Sequence, residues 1–184
     1  MSLLKKLFFC LAVILAGVST ATAAEAIKDP ENTLIMQLKT GRVVIEMRPD
    51  LAPQHVARIK VLVRKGFYDG LVFHRVIPGF MAQGGDPTGT GRGGSGFKIP
   101  AEFNSAHHLR GTVAMARSQD YNSADSQFYI CFEAQPALDG KYTVWGRVIE
   151  GMDNVDQIKK GDSDSGQVDS PDAIISMKVA ADVK

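Results

Sequence analysis

Between Leu34 and Met47, apolar residues return at every second position in two runs: Leu34, Met36, Leu38, then Val43, Ile45, Met47. Thr40-Gly41 lies between the runs. A period of two belongs to a strand with one face turned inward, and a slip of one residue would expose the whole set. The segment therefore predicts a β-hairpin with one buried face. Short strand-like runs dominate the rest of the chain: Val72–Val76, Met81–Gly84, Thr112–Ala116, Gln127–Phe132, Thr143–Val148 and a closing run at Ile174–Val179. Only two segments carry a helical period. Pro53 to Lys65 places Ala52, Val56, Ile59, Leu62 and Val63 on one face, with Pro53 in the first turn and Gly66 at the stop. Met152 to Lys159 turns Met152, Val155 and Ile158 inward. Many short strands with two helices predict a mainly β fold, a closed antiparallel β-barrel whose ends the helices cap. Closure would also protect the strand edges from pairing with other chains.

The first 23 residues stand apart from this pattern. Lys5 and Lys6 precede an apolar run, Leu7 to Val18, and Ala21-Thr22-Ala23 supplies a small-x-small site. The run is too short for a membrane span, and the segment reads as a secretory signal peptide cleaved after Ala23 or Ala24. Residues 24–184 then form a single domain that opens with a polar lead-in, Ala24 to Asn32. Cleavage removes two lysines and no acid, so 21 basic and 20 acidic residues become 19 and 20. That balance speaks against a nucleic-acid or anionic-membrane partner. Cys131 is the one cysteine left, so no intrachain disulfide can form and stability must come from the core.

Gly84 to Gly96 is the most irregular stretch, with seven glycines in thirteen residues. Within it Gly89 to Gly94 fits G-x-G-x-x-G, but Phe97-Lys98-Ile99-Pro100 comes next, where a helix should begin. The acidic residue expected about twenty positions on is missing too, so a surface loop is the better reading than a nucleotide site. Ser165 to Pro171 is a second expected loop. His107 and His108 lie near Glu102, yet the four histidines form no i, i+4 ligand pair, and solvated loop histidines are expected rather than a metal site. Cys131 sits in an apolar run and is expected to be a buried small hydrophobe. No G-x-S-x-G elbow exists for serine chemistry.

One stretch resists a purely structural reading. In FHRVIPGFMAQGGD, Phe73 to Asp86, Arg75 stands among Phe73, Val76, Ile77, Phe80 and Met81. A charge in such company needs a partner or a purpose, and composition leaves a structural ion pair and a functional cation about even.

This stretch resembles the signature of the cyclophilins, which are peptidyl-prolyl cis-trans isomerases. Two further blocks are similar to the same family in the same order: GTVAMARSQDYNSADSQFYICF, Gly111 to Phe132, and LDGKYTVWGRVIEGMDNVDQI, Leu138 to Ile158. The resemblance covers roughly Thr33 to Val179 and implies an eight-stranded antiparallel barrel with two capping helices. By position, Arg75 matches the catalytic arginine. Phe80, Met81, Tyr129 and Leu138 match the wall of the proline pocket. Gln83, Ala116, Arg117 and Gln127 match the peptide groove, and Tyr142 stands where histidine or tyrosine is usual. Three positions depart from the family. Tyr129 replaces a commoner phenylalanine, which implies a hydroxyl at the rim of the pocket. Arg117 replaces a frequent asparagine, whose usual contact is through its backbone carbonyl. Ala137 replaces the tryptophan of drug-sensitive members, which implies weak cyclosporin binding.

The resemblance implies an isomerase (a rotamase) that needs no cofactor or metal and acts on proline-containing peptides. With the signal peptide, it implies a monomer that folds exported proteins in the periplasm or outside the cell. No stable membrane insertion is expected after cleavage. A non-catalytic chaperone module that merely holds proline segments is the competing reading.

Overall fold

The computed structural model describes residues 27–162 and 164–183. The expected signal peptide and its cleavage site lie outside the described residues. The hairpin forms as the alternation requires: β1 (Thr33–Leu38) pairs with β2 (Gly41–Met47), Leu34 opposite Ile45 and Met36 opposite Val43. Helix α1 (Pro53–Arg64) is next, with Pro53 at its start and Val56, Ile59, Leu62 and Val63 buried. Then come β3 (Arg75–Ile77), β4 (Met81–Gly84), β5 (Thr112–Met115), β6 (Phe128–Cys131), β7 (Val144–Glu150), α2 (Met152–Asp156) and β8 (Ser176–Val179). The third strand is shorter than the expected Val72–Val76 because its first residues leave the ladder, and Val72 makes only an isolated bridge to Ala173. The second helix stops at Asp156, three residues early, although Val155 and Ile158 are buried as its period demands.

The eight strands form one antiparallel sheet in the order β3-β4-β6-β5-β7-β2-β1-β8. Its two edge strands, β3 and β8, are linked through the segment that leads into β8. No continuous ladder joins those edges among the described residues; bridges Val72 to Ala173 and Arg75 to Gln167 fasten them instead. Backbone bonds from Phe73 to Asp172 (2.9 Å) and from Val76 to Gly166 (2.7 Å) add to the fastening. The barrel is thus zipped by the 165–174 segment, which the sequence presents only as a loop and a strand approach. Register shifts at Val44/Ile45 and Val113/Ala114 mark the irregularities where the sheet bends.

The interior holds Leu34, Ile45, Ile59, Phe73, Phe128, Ile130 and Trp145, all 0–1% exposed. Phe128 is its hub, with Tyr68, Phe73 and Trp145 edge-on to it at 5.7, 6.3 and 6.1 Å. A second buried cluster lies on the opposite face of the same strands, formed by Met81, Ala114, Tyr129, Cys131 and Val144. Strict alternation divides the two: in β6, Phe128 and Ile130 face the barrel interior, while Tyr129 and Cys131 face outward. Runs such as TVAM and FYIC are buried at every position because both faces are covered. What covers the outer face is the candidate site.

Candidate active site

Register alone assembles the first row. Arg75 lies opposite Gln83, and Gln83 opposite Tyr129, so three neighbouring strands present these side chains side by side. Arg75 makes no ion pair with a carboxylate among the described residues, so the structural ion-pair reading falls. Its Nε donates to the Ser165 carbonyl at 2.9 Å and one Nη to Gln83 Oε1 at 3.3 Å. The guanidinium carbon stands 6.0 Å from the centre of the Phe80 ring. Its other Nη donates to no group among the described residues. Burial pulls the Arg75 pKa down from its ordinary value, but a guanidinium starts so high that it stays charged at any working pH.

The orientation of Arg75 is set by a relay that ends on the glycine loop. Gln127 Nε2 donates to the Gly93 carbonyl at 2.8 Å, and Gln83 Nε2 donates to Gln127 Oε1 at 2.9 Å. A carbonyl can only accept, so each amide in turn must point its oxygen toward the next donor. The last oxygen, Gln83 Oε1, is therefore aimed at Arg75. The loop is itself wound about the buried Asp86 carboxylate, which accepts from the N–H groups of Thr88, Thr90 and Gly93 at 2.8, 3.1 and 3.1 Å. Burial pushes the Asp86 pKa up, but the Thr88 and Gly93 amides outweigh it, and it ends below its ordinary value. Gly93 cannot carry a side chain here, since a Cβ would lie 2.1 Å from Asp86 Oδ1. The G-x-G-x-x-G pattern is thus satisfied by an internal carboxylate. Amides that could have cradled a phosphate are already taken.

Beside Arg75 lies a recess of about 120 Å³. Every site residue singled out in the sequence except Gln127 lines it. Such a volume suits one ring-sized group rather than a drug-sized ligand. Phe80 and Met81 come from the turn into β4 and its first residue, Ala116 and Arg117 from the segment just after β5, Tyr129 from β6, and Leu138 from the short helical turn Pro136–Leu138. Gln127 lines an adjoining recess of about 410 Å³, which shares Gln83, Ala116 and Arg117 with the first.

Arg117 is fixed by backbone carbonyls, donating to Lys141 (2.8 Å) and Ser118 (2.8 Å), and its guanidinium lies 4.6 and 4.5 Å from the Tyr121 and Tyr142 ring centres. Its own backbone N–H and C=O pair with no group among the described residues. An unsatisfied strand-like residue at a groove edge is what an extended peptide can pair with.

Four expectations need correction, three of them on histidines. His108 is not a solvated loop histidine: it is 1% exposed, with Nδ1 2.9 Å from Asp139 Oδ1 and Nε2 3.0 Å from the Tyr129 hydroxyl. His55 is likewise buried, its Nδ1 2.6 Å from Glu102, and His74 is 6% exposed. Only His107 is exposed as expected. The Tyr129 hydroxyl is not a free group at the recess, since it is buried and paired with His108 Nε2 at 3.0 Å. Cys131 is a buried small group as expected, its thiol pushed up to about 12 by burial. The carbonyls of Ser165 and Gly93 and the His108–Asp139 pair were invisible in the sequence, since nothing local marks a distant carbonyl or a histidine that becomes buried.

The comparison with protein families matches residues 33–179 to the cyclophilin type peptidyl-prolyl cis-trans isomerase/CLD family. The chain belongs to that family. It is 53% identical over 186 residues to a probable peptidyl-prolyl cis-trans isomerase of Brucella suis, covering 94% of this chain and 93% of that one. It is 43% identical over 150 residues to a peptidyl-prolyl cis-trans isomerase of Synechococcus elongatus, covering 80% and 96%. Among solved structures, cyclophilin AquaCyp293 from Hirschia baltica superposes with a TM-score of 0.76 at 31% identity, covering 85% of this chain and 76% of that one. A Cryptosporidium parvum cyclophilin-type isomerase, crystallised in the presence of the dipeptide Ala-Pro, gives 0.73 at 28% identity over 80% and 98%. The cyclophilin fold, and with it prolyl cis-trans isomerisation, is therefore the activity this barrel carries. The recess on the outer face of β4, β5 and β6 is the candidate site for that activity.

Proposed function

We propose that this cyclophilin is an exported folding catalyst that rotates X-Pro bonds, with Arg75 as its catalytic residue. The observation that carries the proposal is Arg75 itself. It is a cation without a carboxylate partner among the described residues, wired through Gln83 and Gln127 to Gly93, with a spare Nη beside a proline-sized recess walled by aromatic and aliphatic side chains.

An X-Pro bond turns against a barrier of ~18–20 kcal/mol from amide resonance. No covalent bond breaks. In the twisted state the imide nitrogen loses conjugation and gains a lone pair, and proline has no N–H to occupy that site. Arg75 donates to this lone pair. Phe80, Met81, Tyr129 and Leu138 hold the ring, Gln83 fixes Arg75, and the backbone of Arg117 pairs with substrate backbone. Tyr142 closes the recess beside Tyr129, the two rings edge-on at 5.9 Å. Ala116 leaves room for the chain to pass, and Gln127 anchors the relay.

Magnitudes divide the work. Shortening tens of seconds to milliseconds needs about four decades, or roughly 5.5 kcal/mol. A hydrogen bond to a charged group supplies about 1.5–3 kcal/mol, and a preorganised donor in a dry site about 2.7–4 kcal/mol. Arg75 cannot do it alone. The remainder falls to the pocket, which excludes water and grips the ring in the twisted geometry.

Export is supported by Lys5 and Lys6, the apolar run Leu7–Val18 and the small residues at 21–24. Clients are then unfolded, proline-containing chains in the periplasm or outside the cell, met by a monomeric mature protein. The deciding measurement is a protease-coupled isomerase assay on the mature chain and on Arg75→Ala, with mass spectrometry of the exported protein to read its N-terminus. Turnover lost with the arginine is the expected result. Peptide binding without turnover in the wild type would make the protein a chaperone module, and an uncut N-terminus would remove the export assignment.

A further inference from the structure

Behind the pocket wall runs a chain of three polar groups that the isomerase mechanism does not use, with His108 and the Tyr129 hydroxyl buried and Asp139 partly exposed. Asp139 Oδ1 accepts from the backbone N–H of His108 at 2.8 Å and stands 2.9 Å from its Nδ1, while Asp139 Oδ2 is 2.7 Å from His107 Nδ1. His108 Nε2 is 3.0 Å from the Tyr129 hydroxyl. The His108 side chain is 0% exposed, and its ring lies nearly parallel to that of Tyr129, at 15°.

The direction of every hydrogen bond in this chain follows from the carboxylate. The His107 hydrogen bond, then the His108 amide and ring, hold the Asp139 pKa well below its ordinary value, so the carboxylate can only accept. His108 Nδ1 must therefore carry a proton. In the neutral ring Nε2 is then bare and can only accept, so the Tyr129 hydroxyl must donate to it. This draws the hydroxyl out of the recess and leaves only the aromatic ring of Tyr129 facing a substrate. The chain also joins elements that are otherwise separate. Tyr129 belongs to β6, whereas Asp139 directly follows Leu138 at the end of the Pro136–Leu138 turn. His108 ties that turn again through its carbonyl, which accepts from Gln135 N–H at 2.7 Å.

We propose that His108 is a positioning residue for prolyl isomerisation: held by Asp139, it retracts the Tyr129 hydroxyl and locks Tyr129 and Leu138 together as walls of one dry pocket. The inference rests on the reading of Tyr129 and Leu138 as proline-binding walls. Without His108, a buried hydroxyl at the pocket would be left unpaired, and water or a displaced ring would have to satisfy it. His108 thereby makes a tyrosine serve where an apolar ring is wanted.

The test is a double-mutant cycle on the mature protein with a short proline peptide. His108→Leu should lower kcat/KM by about five- to thirtyfold, chiefly by raising KM. In a Tyr129→Phe background, whatever activity that background has, the same change should cost less than about twofold, because no hydroxyl remains to be satisfied. His108→Gln, which keeps an acceptor, should lie between wild type and His108→Leu. An equal loss with and without the hydroxyl would show that His108 merely supports the fold and would overturn the proposal, as would a His108→Leu enzyme with unchanged KM. Imidazole ¹⁵N spectra of the wild type give a second reading that requires no variant to fold: a proton on Nδ1 is expected at pH 7.5, and one on Nε2 alone would overturn the proposal. Loss of turnover in Arg75→Ala checks the underlying isomerase site separately.

Discussion

Two recesses share the wall formed by Gln83, Ala116 and Arg117, yet they are built in different ways. The smaller, about 120 Å³, is lined by Phe80, Met81, Tyr129, Leu138 and Tyr142 and rests on strands buried on both faces. The larger, about 410 Å³, is lined by loop residues, among them Gly91 to Gly94, Lys98, Ser123 and Asp125. Aromatic contact and β register shape the first. Carboxylates at the centre of loops shape the second: Asp86 gathers the glycine loop, and Asp125 accepts from the Ser95 and Gly96 amides at 2.7 and 3.0 Å. A cup walled by strand-held aromatic side chains around a fixed guanidinium can favour one twisted geometry, whereas a loop-lined recess can only sort what flanks it. The relay Gly93–Gln127–Gln83–Arg75 crosses the shared wall and makes the loop part of the first recess's precision.

The sharpest way to separate the two is to disable the cup. Arg75→Ala should reduce kcat/KM for a short proline peptide by at least tenfold, up to about a thousandfold, with little change in thermal unfolding; an unaltered rate would remove Arg75 from the mechanism. Cutting the relay should cost less. Gln83→Leu takes the Oε1 anchor from Arg75 and is expected to lower kcat/KM by about ten- to a hundredfold, the worth of a hydrogen bond to a charged group. Activity close to wild type would show that the Ser165 carbonyl alone suffices to aim the guanidinium.

The larger recess should respond to substrate charge rather than to catalysis. Arg92, Lys98 and Arg117 line it without a carboxylate partner among the described residues, and its one acid, Asp125, is held by amides. Peptides with glutamate upstream of the proline should exceed their lysine counterparts by about two- to fivefold at low salt, converging as salt rises. Equal rates at low salt would mean that the substrate does not reach this recess.

The smallest effect concerns pH. Between pH 6 and 8 the activity should stay nearly flat, because Arg75 remains charged and no side chain needs to titrate; a steep bell would argue for acid–base catalysis. Stability should behave otherwise. Burial depresses the pKa of His55 and His74 below the ordinary 6.5, so the unfolded chain takes up protons first as pH falls. Their contribution is complete above about 6.5 and declines below it. Thermal unfolding at pH 7.5 and 5.5 should show the lower midpoint at 5.5, and an equal or higher one would contradict two buried neutral imidazoles.

The parts of the molecule that are legible in the sequence are those governed by short periods. The hairpin comes from alternation across Thr40-Gly41, α1 from a single apolar face closed by Pro53 and Gly66, and the 81–84 strand has the bounds expected of it. Arg75 can be recognised as anomalous from its neighbours alone. Its role cannot be decided there, because the groups that hold it lie 8 and 90 residues away at Gln83 and Ser165.

Local pattern determined that this chain makes many short strands and two helices, and that a guanidinium stands in apolar company; both depend on neighbours within a few residues. Tertiary structure decided which face of each double-buried strand became core and which became pocket. It fastened the β3 edge to the 165–174 segment, filled the glycine motif with Asp86, and turned His108 from a surface residue into the partner of Tyr129. The physical reason is that burial and hydrogen-bond partners are set by how segments pack: His108 comes within about 3 Å of Tyr129 only when residues 21 apart are brought together, and Asp86 meets the Gly93 amide only when the loop winds around it.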